Sequence, residues 1–155
     1  MRWSVFLVVA AVTSACASGG GGSAVYRREI GNASLNDVLS RSRLILNRYQ
    51  YEVLEQDSLP FVRIETHWRE RRPFEDETAM GITEAETRLI ISARARAQTD
   101  LGGTYNIRLT MENRVRLMDA PEWNEKTNTT MFQRYADEVT AEFRKEISDI
   151  GVRRY

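Results

Sequence analysis

The stretch Thr87–Met118, TRLIISARARAQTDLGGTYNIRLTMENRVRLM, contains two runs of alternating apolar and polar side chains around a pair of glycines. A period of two places successive side chains on opposite faces of a strand. Thr87–Gln98 and Thr104–Met118 are therefore predicted to be antiparallel strands of one hairpin, with the turn at Asp100–Gly103. Small inward residues in the first strand (Ala93, Ala95 and Ala97) leave room for a helix to lie close to the sheet.

Two further strands are predicted before this hairpin. Tyr51–Glu55 is followed by a turn-forming segment, and Phe61–Arg71 then alternates along its whole length. The alternation puts Val62, Ile64, Thr66 and Trp68 on one face and Arg63, Glu65, His67 and Arg69 on the other. The segment Arg72–Glu86 has no period and is rich in acids, which predicts a long exposed loop that is either functional or disordered.

Amphipathic helices are predicted on either side of these strands. Ser34 is a suitable N-cap for the first, and apolar residues then recur at three- and four-residue spacing as far as Tyr49. The last helix is expected to begin at Thr129 or Thr130 and to end at Gly151. The segment 24–30 is either a short edge strand or the end of a linker. The predicted fold is α+β in two layers, a four-stranded antiparallel sheet with two helices on one face, in the order α-β-β-β-β-α.

The beginning of the chain has the three parts of a secretory signal peptide. Arg2 is followed by an apolar run that is too short to span a bilayer permanently, and small residues lead into Cys16. Residues 1–15 are thus predicted to be a signal peptide, residues 16–24 a lipidated cysteine with a Gly/Ser tether, and residues 25–155 a single domain. The alternative is ordinary cleavage after Ala17, which would release a soluble periplasmic protein.

The stretch around Ala15 and Cys16 resembles the lipobox of bacterial lipoproteins, in which the cysteine is acylated and becomes the new N-terminus. Cys16 is the only cysteine of the chain, and a Gly/Ser run follows it directly. Two or more acyl chains would anchor the protein stably. If the sorting signals of the best-studied Gram-negative bacteria apply, Ala17 after the cysteine implies the periplasmic face of the outer membrane.

Composition excludes several classes of function. The chain has 22 basic and 22 acidic residues, so its net charge does not predict a nucleic-acid partner. His67 is the only histidine, and the acids of Arg72–Glu86 lack the ligand spacing of a calcium loop. With Cys16 acylated, no disulfide is left to form. We therefore expect no catalytic residues, no metal site and no cofactor.

The outward face of the predicted sheet collects arginines. Glu65 and Glu112 are the main acids opposing them. Arginine pairs bidentately with carboxylates and phosphates, which indicates contact with an acidic protein or an anionic lipid of the envelope. The alternative is a solvated face balanced by the acids of Arg72–Glu86. The face includes Arg88, and the candidate contact residues are Arg63, Arg69, Arg94, Arg96, Arg108, Arg114 and Arg116.

A tethered domain in which a helix leads into Tyr51-Glu52-Val53-Leu54, then Asp57 and Ile64-Glu65-Thr66-His67-Trp68, resembles the small helix-grip domains of outer-membrane assembly lipoproteins. These include the lipoprotein C subunit of the β-barrel assembly machinery and the lipopolysaccharide-assembly lipoprotein E. The resemblance implies a non-enzymatic binding or scaffold domain in outer-membrane assembly or maintenance. The alternative is a periplasmic domain that binds a small molecule or lipid in a cleft between helix and sheet.

Overall fold

The computed structural model describes residues 25–58, 61–99, 102–125 and 127–152. The signal peptide, the lipidated Cys16 and the tether predicted for residues 1–24 lie outside the described residues, so they stay predictions. The described chain forms, in order, β1 (Val25–Ser34), α1 (Leu35–Arg48), β2 (Val53–Asp57), β3 (Val62–Thr66), β4 (Arg69–Arg71), α2 (Glu75–Ala79), β5 (Ile82–Thr99), β6 (Gly102–Leu117) and α3 (Thr130–Val152).

All six strands belong to one antiparallel sheet with the order β1-β6-β5-β3-β2, and β4 pairs with β5 beside β3. The α+β class is confirmed. The prediction of four strands and two helices is wrong, because the described residues form a sheet of six strands and three helices. The antiparallel pairing of the two central strands, β5 and β6, is confirmed. Gly102 and Gly103, which were predicted to lie in the turn, belong to β6, and Asp100 and Leu101 lie outside the described residues.

The N-terminal segment that the sequence leaves open between an edge strand and a linker is an edge strand from Val25 onward. Tyr26 and Ile30 are buried on the face that carries the helices, and β1 pairs with β6 over its whole length. A bulge between Glu29 and Gly31 interrupts the pairing. The bulge shifts the alternation by one residue, which hides the strand from a period-of-two reading.

The strand predicted over Phe61–Arg71 is broken after Thr66. At the break the His67 amide donates to the Glu52 carbonyl oxygen at 2.9 Å and leaves the ladder with β5. After the break, the residues that an uninterrupted alternation would place on one face lie on the other. Trp68 lies on the outer face of the sheet beneath Arg88, whereas the Arg69 guanidinium donates to the Tyr135 hydroxyl on α3. The predicted outward position of Arg69 is therefore wrong.

The prediction of a long exposed loop over Arg72–Glu86 is also wrong. The segment contains α2 and the first residues of β5. A bulge between Ile82 and Glu84 breaks the alternation at the start of β5. Glu77 of α2 is fully buried, so its role is structural.

The helices α1 and α3 cover one face of the sheet, and the core lies between the two layers. Ion pairs between α1 and α3, such as Arg41 with Glu146, join the helices at the surface. In the part of the chain that the structure describes, no helix combines the length and apolar character needed to cross a membrane. The largest fully buried core side chains include Ile45, Leu46, Ile64, Leu89, Ile91, Ile107, Leu109, Met111, Phe132 and Phe143.

Candidate functional site

The outer face of the sheet, opposite the helices, carries an ion-pair ladder across β5 and β6. Residues of opposite charge face each other in three consecutive outward positions of the two strands. Each of the three pairs is an ion pair in the structure. We define the ion-pair ladder by these residues: Glu84 with Arg116, Glu86 with Arg114, and Arg88 with Glu112.

Two tryptophans pack against the arginines of the ion-pair ladder. The Arg114 guanidinium carbon lies 4.3 Å from the ring centre of Trp68 and 4.7 Å from that of Trp123. Arg88 and Arg116 extend the stack on either side, at 4.7 Å from Trp68 and 5.0 Å from Trp123. Each of these three guanidinium groups contacts both a carboxylate and a tryptophan ring. The three glutamates neutralise the three arginines, so this half of the face has no net charge.

Glu65 of β3 connects the ion-pair ladder to the next arginine along the sheet. Its carboxylate accepts from Arg88 at 2.8 Å and also pairs with Arg63. Four arginines thus have at least one carboxylate partner on their own face of the sheet: Arg63, Arg88, Arg114 and Arg116.

The hairpin end of the same face differs. Arg94, Arg96 and Arg108, which we call the distal arginines, are exposed. None of the three forms an ion pair with another residue that the structure describes. Glu29 lies opposite Arg108 in the register, but its carboxylate accepts a hydrogen bond from the Asn106 amide instead.

A hollow of about 190 Å³ lies among these groups, lined by Phe61, Arg63, Ser92, Arg94, Asn106 and Arg108. The register explains it. Ser92 lies between Arg63 on one neighbouring strand and Arg108 on the other, and neighbouring strands are about 4.8 Å apart. The small serine leaves space above the sheet that longer side chains surround. A carboxylate or phosphate in this hollow could accept paired hydrogen bonds from more than one guanidinium.

The predicted contact residues thus fall into three groups. Arg114 and Arg116 belong to the ion-pair ladder, and Arg63 shares Glu65 with Arg88. Arg94, Arg96 and Arg108 remain available for a partner. Arg69 lies on the helix side, where it donates at 2.9 Å to the Tyr49 carbonyl oxygen and to the Tyr135 hydroxyl.

The surroundings of Arg69 form a buried polar network beneath α3. The Tyr51 hydroxyl lies 2.7 Å from the Thr87 hydroxyl and 3.3 Å from that of Tyr135, and Arg69 stacks on the Tyr51 ring. Burial, followed by the neighbouring Tyr51, raises the pKa of Tyr135 well above its usual range. The Tyr135 phenol therefore stays protonated and holds the helix to the sheet.

Asp76 and Glu77, two of the acids expected to balance the arginine face, contact other groups instead. Glu77 binds Arg71 through two hydrogen bonds of 2.6 and 2.7 Å, and Asp76 accepts from the Met131 amide at the start of α3. Sequence reasoning missed this buried pair, although Glu77 stands in the N3 position of α2, where a side chain often turns back to the helix start. Of the acids in Arg72–Glu86, only Glu84 and Glu86 form ion pairs with arginines of the outer face, and they do so from β5 itself.

Within residues 25–58, 61–99, 102–125 and 127–152, no group of three or more acidic, histidine or cysteine side chains is placed to hold a metal ion. The His67 side chain is exposed on the short connection between β3 and β4. The candidate site is therefore the hollow among the distal arginines, which suits binding.

Comparison of the chain with models of known protein families gives no match, and comparison with curated proteins gives none either. The resemblance to the assembly lipoproteins thus stays a prediction.

Proposed function

We propose that the chain is an exported, lipid-anchored envelope protein whose domain binds an anionic group on another envelope component, in outer-membrane assembly or maintenance. The single observation that supports the binding site is the hollow among the distal arginines. The lipobox-like sequence at Cys16 supports the anchor. On this proposal the domain is a binding or scaffold module and performs no catalysis.

The two halves of this sheet face differ in whether their arginines have carboxylate partners. Arg63, Arg88, Arg114 and Arg116 all have carboxylate partners, whereas the distal arginines have none among the described residues. Exposed arginines are common, but here two of the distal arginines, Arg94 and Arg108, line a concave site together with the exposed aromatic ring of Phe61 and the amide of Asn106. Charged, amide and aromatic groups in one hollow are suited to a carboxylate or phosphate attached to an apolar body.

The alternative, a ligand-binding cleft between helix and sheet, finds less support. In the described chain the two layers are joined by fully buried side chains such as Phe132 and Phe143 of α3 and Ile91 and Leu109 of the sheet. A ligand there would have to displace well-packed apolar groups. The exposed hollow on the opposite face requires no such rearrangement.

Photo-crosslinking in cells tests the binding site. A photoreactive phenylalanine analogue in place of Phe61, an exposed residue that lines the hollow, should capture a partner, and Arg94→Glu with Arg108→Glu should abolish the capture. Hydrogen bonds to charged groups contribute about 1.5–3 kcal/mol, so losing one should weaken binding by roughly ten- to a hundredfold. Arg134→Glu, at an exposed position of α3, is the matched control and should leave the capture unchanged. Capture that persists in a folded Arg94→Glu, Arg108→Glu variant would remove the hollow from the proposal.

Metabolic labelling tests the anchor separately. Label from a palmitate analogue should depend on Cys16, and Cys16→Ser should release the protein from the membrane fraction. A wild-type protein that is soluble and unlabelled would support cleavage after Ala17 and a free periplasmic domain.

A further inference from the structure

An apolar groove lies at the end of the sheet opposite the hairpin turn. It has a volume of about 620 Å³, and Met80, Leu117 and Met118 line it together with Asp119 and Ala120. These apolar side chains are unusually open to solvent: 80% of Met118, 56% of Met80 and 37% of Leu117 is exposed. Apolar groups exposed together are typical of contacts with a protein or a membrane.

The direction of β1 relates this groove to the beginning of the chain. Val25 lies opposite Glu112 of β6, and Ser34 lies opposite Thr104 near the hairpin turn. Because β1 runs antiparallel to β6, its first residue, Val25, is the residue of β1 nearest to the Leu117 end of β6. The tether therefore joins the domain on the side of the groove.

Distances along the strands strengthen this relation. Leu117 lies five residue steps along β6 from Glu112, about 17 Å at the usual strand rise, whereas Gly103, near the other end of β6, lies nine steps from Glu112, about 30 Å. Val25 is likewise nine residue steps from Cys16, and a Gly/Ser-rich segment of that length has a mean span of roughly 15–18 Å. An anchor at Cys16 would hold the groove end within reach of the lipid and the hairpin end far from it.

We propose that the groove end of the domain rests on the lipid surface, with Met80, Leu117 and Met118 in the interfacial region of the bilayer. The inference rests on the proposed anchor at Cys16. It gives the domain an orientation in which the distal arginines point away from the lipid, where a partner can reach them.

The charges at the groove are compatible with a lipid surface. Glu84 and Arg116 beside it neutralise each other in the ion-pair ladder. Asp119 also lines the groove and is exposed, so its carboxylate can stay in the hydrated headgroup layer. The polar side chains around the methionines thus bring little net charge into the apolar part of the bilayer, and apolar side chains with such neighbours bind bilayer interfaces.

The oxidation rates of the protein's own methionines test this orientation. The chain from Cys16 onward, which includes every described residue, is coupled through its single thiol to a maleimide lipid in phosphatidylcholine vesicles. Hydrogen peroxide is added, and sulfoxide formation is followed by peptide mass spectrometry. We expect Met80 and Met118 to be oxidised at least threefold more slowly on vesicles than free in solution. The fully buried Met111 should react slowly in both states.

Two variants separate insertion from general shielding by the vesicle. A Thr104→Met reporter at the hairpin end should be oxidised at the same rate on vesicles and in solution. Met118→Glu places a charge in the apolar layer, which is unfavourable, and should return the oxidation of Met80 on vesicles to nearly its solution rate.

The proposal is overturned if Met80 and Met118 react equally fast in both states, or if the Thr104→Met reporter is protected as strongly as they are. Persisting protection of Met80 in Met118→Glu would also overturn it. Chemical coupling supplies the anchor whether or not cells acylate Cys16. Failure of the palmitate labelling would thus count against the proposed anchor only. The oxidation rates on vesicles would still test the orientation of the domain.

Discussion

Removal of the Glu77 carboxylate should destabilise the domain strongly, because Glu77 balances a charge in the interior. Glu77 is fully buried, and only 7% of the Arg71 side chain is exposed. The same carboxylate accepts from the Phe74 amide at 2.9 Å and from the Asn113 side-chain amide at 3.2 Å. In Glu77→Ala the Arg71 guanidinium would stay buried without a counter-charge.

The magnitude follows from this burial. Breaking a buried ion pair by removing one partner costs about 3–5 kcal/mol. A domain of this size has a free energy of unfolding of about 5–15 kcal/mol, so the loss is a large share of the total. With a urea dependence of about 1–3 kcal/mol per molar, the unfolding midpoint should fall by on the order of 2 M.

Urea unfolding followed by circular dichroism measures the effect. Glu75→Ala is the matched control, because Glu75 is an exposed acid of the same helix, and its loss should change stability by about 0.5 kcal/mol or less. Adding Arg71→Met to Glu77→Ala should recover part of the lost stability, because no buried charge then lacks a partner. The reasoning fails if Glu77→Ala and Glu75→Ala have the same midpoint, or if Arg71→Met makes the double variant still less stable.

Three other changes should have smaller effects on the same urea measurement. Arg114→Lys keeps the charge but loses the flat group stacked between two tryptophans, which should cost about 1–2 kcal/mol. Arg108→Lys, in the same strand and face but without such a stack, should cost less than half as much. Gly81 follows α2 with φ of 81°, so Gly81→Ala should cost about 1 kcal/mol through backbone strain, and Gly81→Asn less. Because burial raises the pKa of Tyr135, its contribution is complete below about pH 10 and lost as pH rises toward the folded-state pKa. Stability should fall less steeply above pH 10 in Tyr135→Phe than in wild type, and equal slopes would contradict this.

The sequence predicts well the strands and helices in which the apolar period is uninterrupted. Leu89 and Ile91 of β5 and Ile107 and Leu109 of β6 alternate without a break and are all fully buried. The apolar positions of α1 and α3 likewise recur at helical spacing. Such patterns report local geometry directly, because a strand or helix presents one face to the core over its whole length.

The elements that the sequence misses are those in which the period changes. Bulges lie at Glu29/Gly31 in β1 and at Ile82/Glu84 in β5, and the chain leaves the ladder at His67. Each irregularity moves later side chains to the opposite face. Arg69 was expected to face outward for this reason, and α2 is too short to show a helical stripe. Its buried acid, Glu77, pairs with Arg71, a contact between residues whose positions the local pattern does not relate.

The arginine face shows how far the turn and the strand patterns together could predict the site. Near the turn, Thr99 lies opposite Gly102, whereas in the core Leu89 lies opposite Met111. These two registers differ by one residue, so β5 must contain an extra residue between them. The structure has it in the bulge between Ala95 and Ala97.

This bulge decides which arginines are neutralised. Without the extra residue Arg88 would face Asn113, and the acids of β5 and β6 would no longer lie opposite arginines. With the extra residue, the ion-pair ladder forms in the part of β5 and β6 farther from the turn. Arg96 lies in the bulge and has no residue opposite it on β6. Bulges often lie beside functional sites because they redirect a side chain. The same irregularity that brings the core side chains into register therefore leaves unpaired positive charge at the hairpin end, where we place the partner.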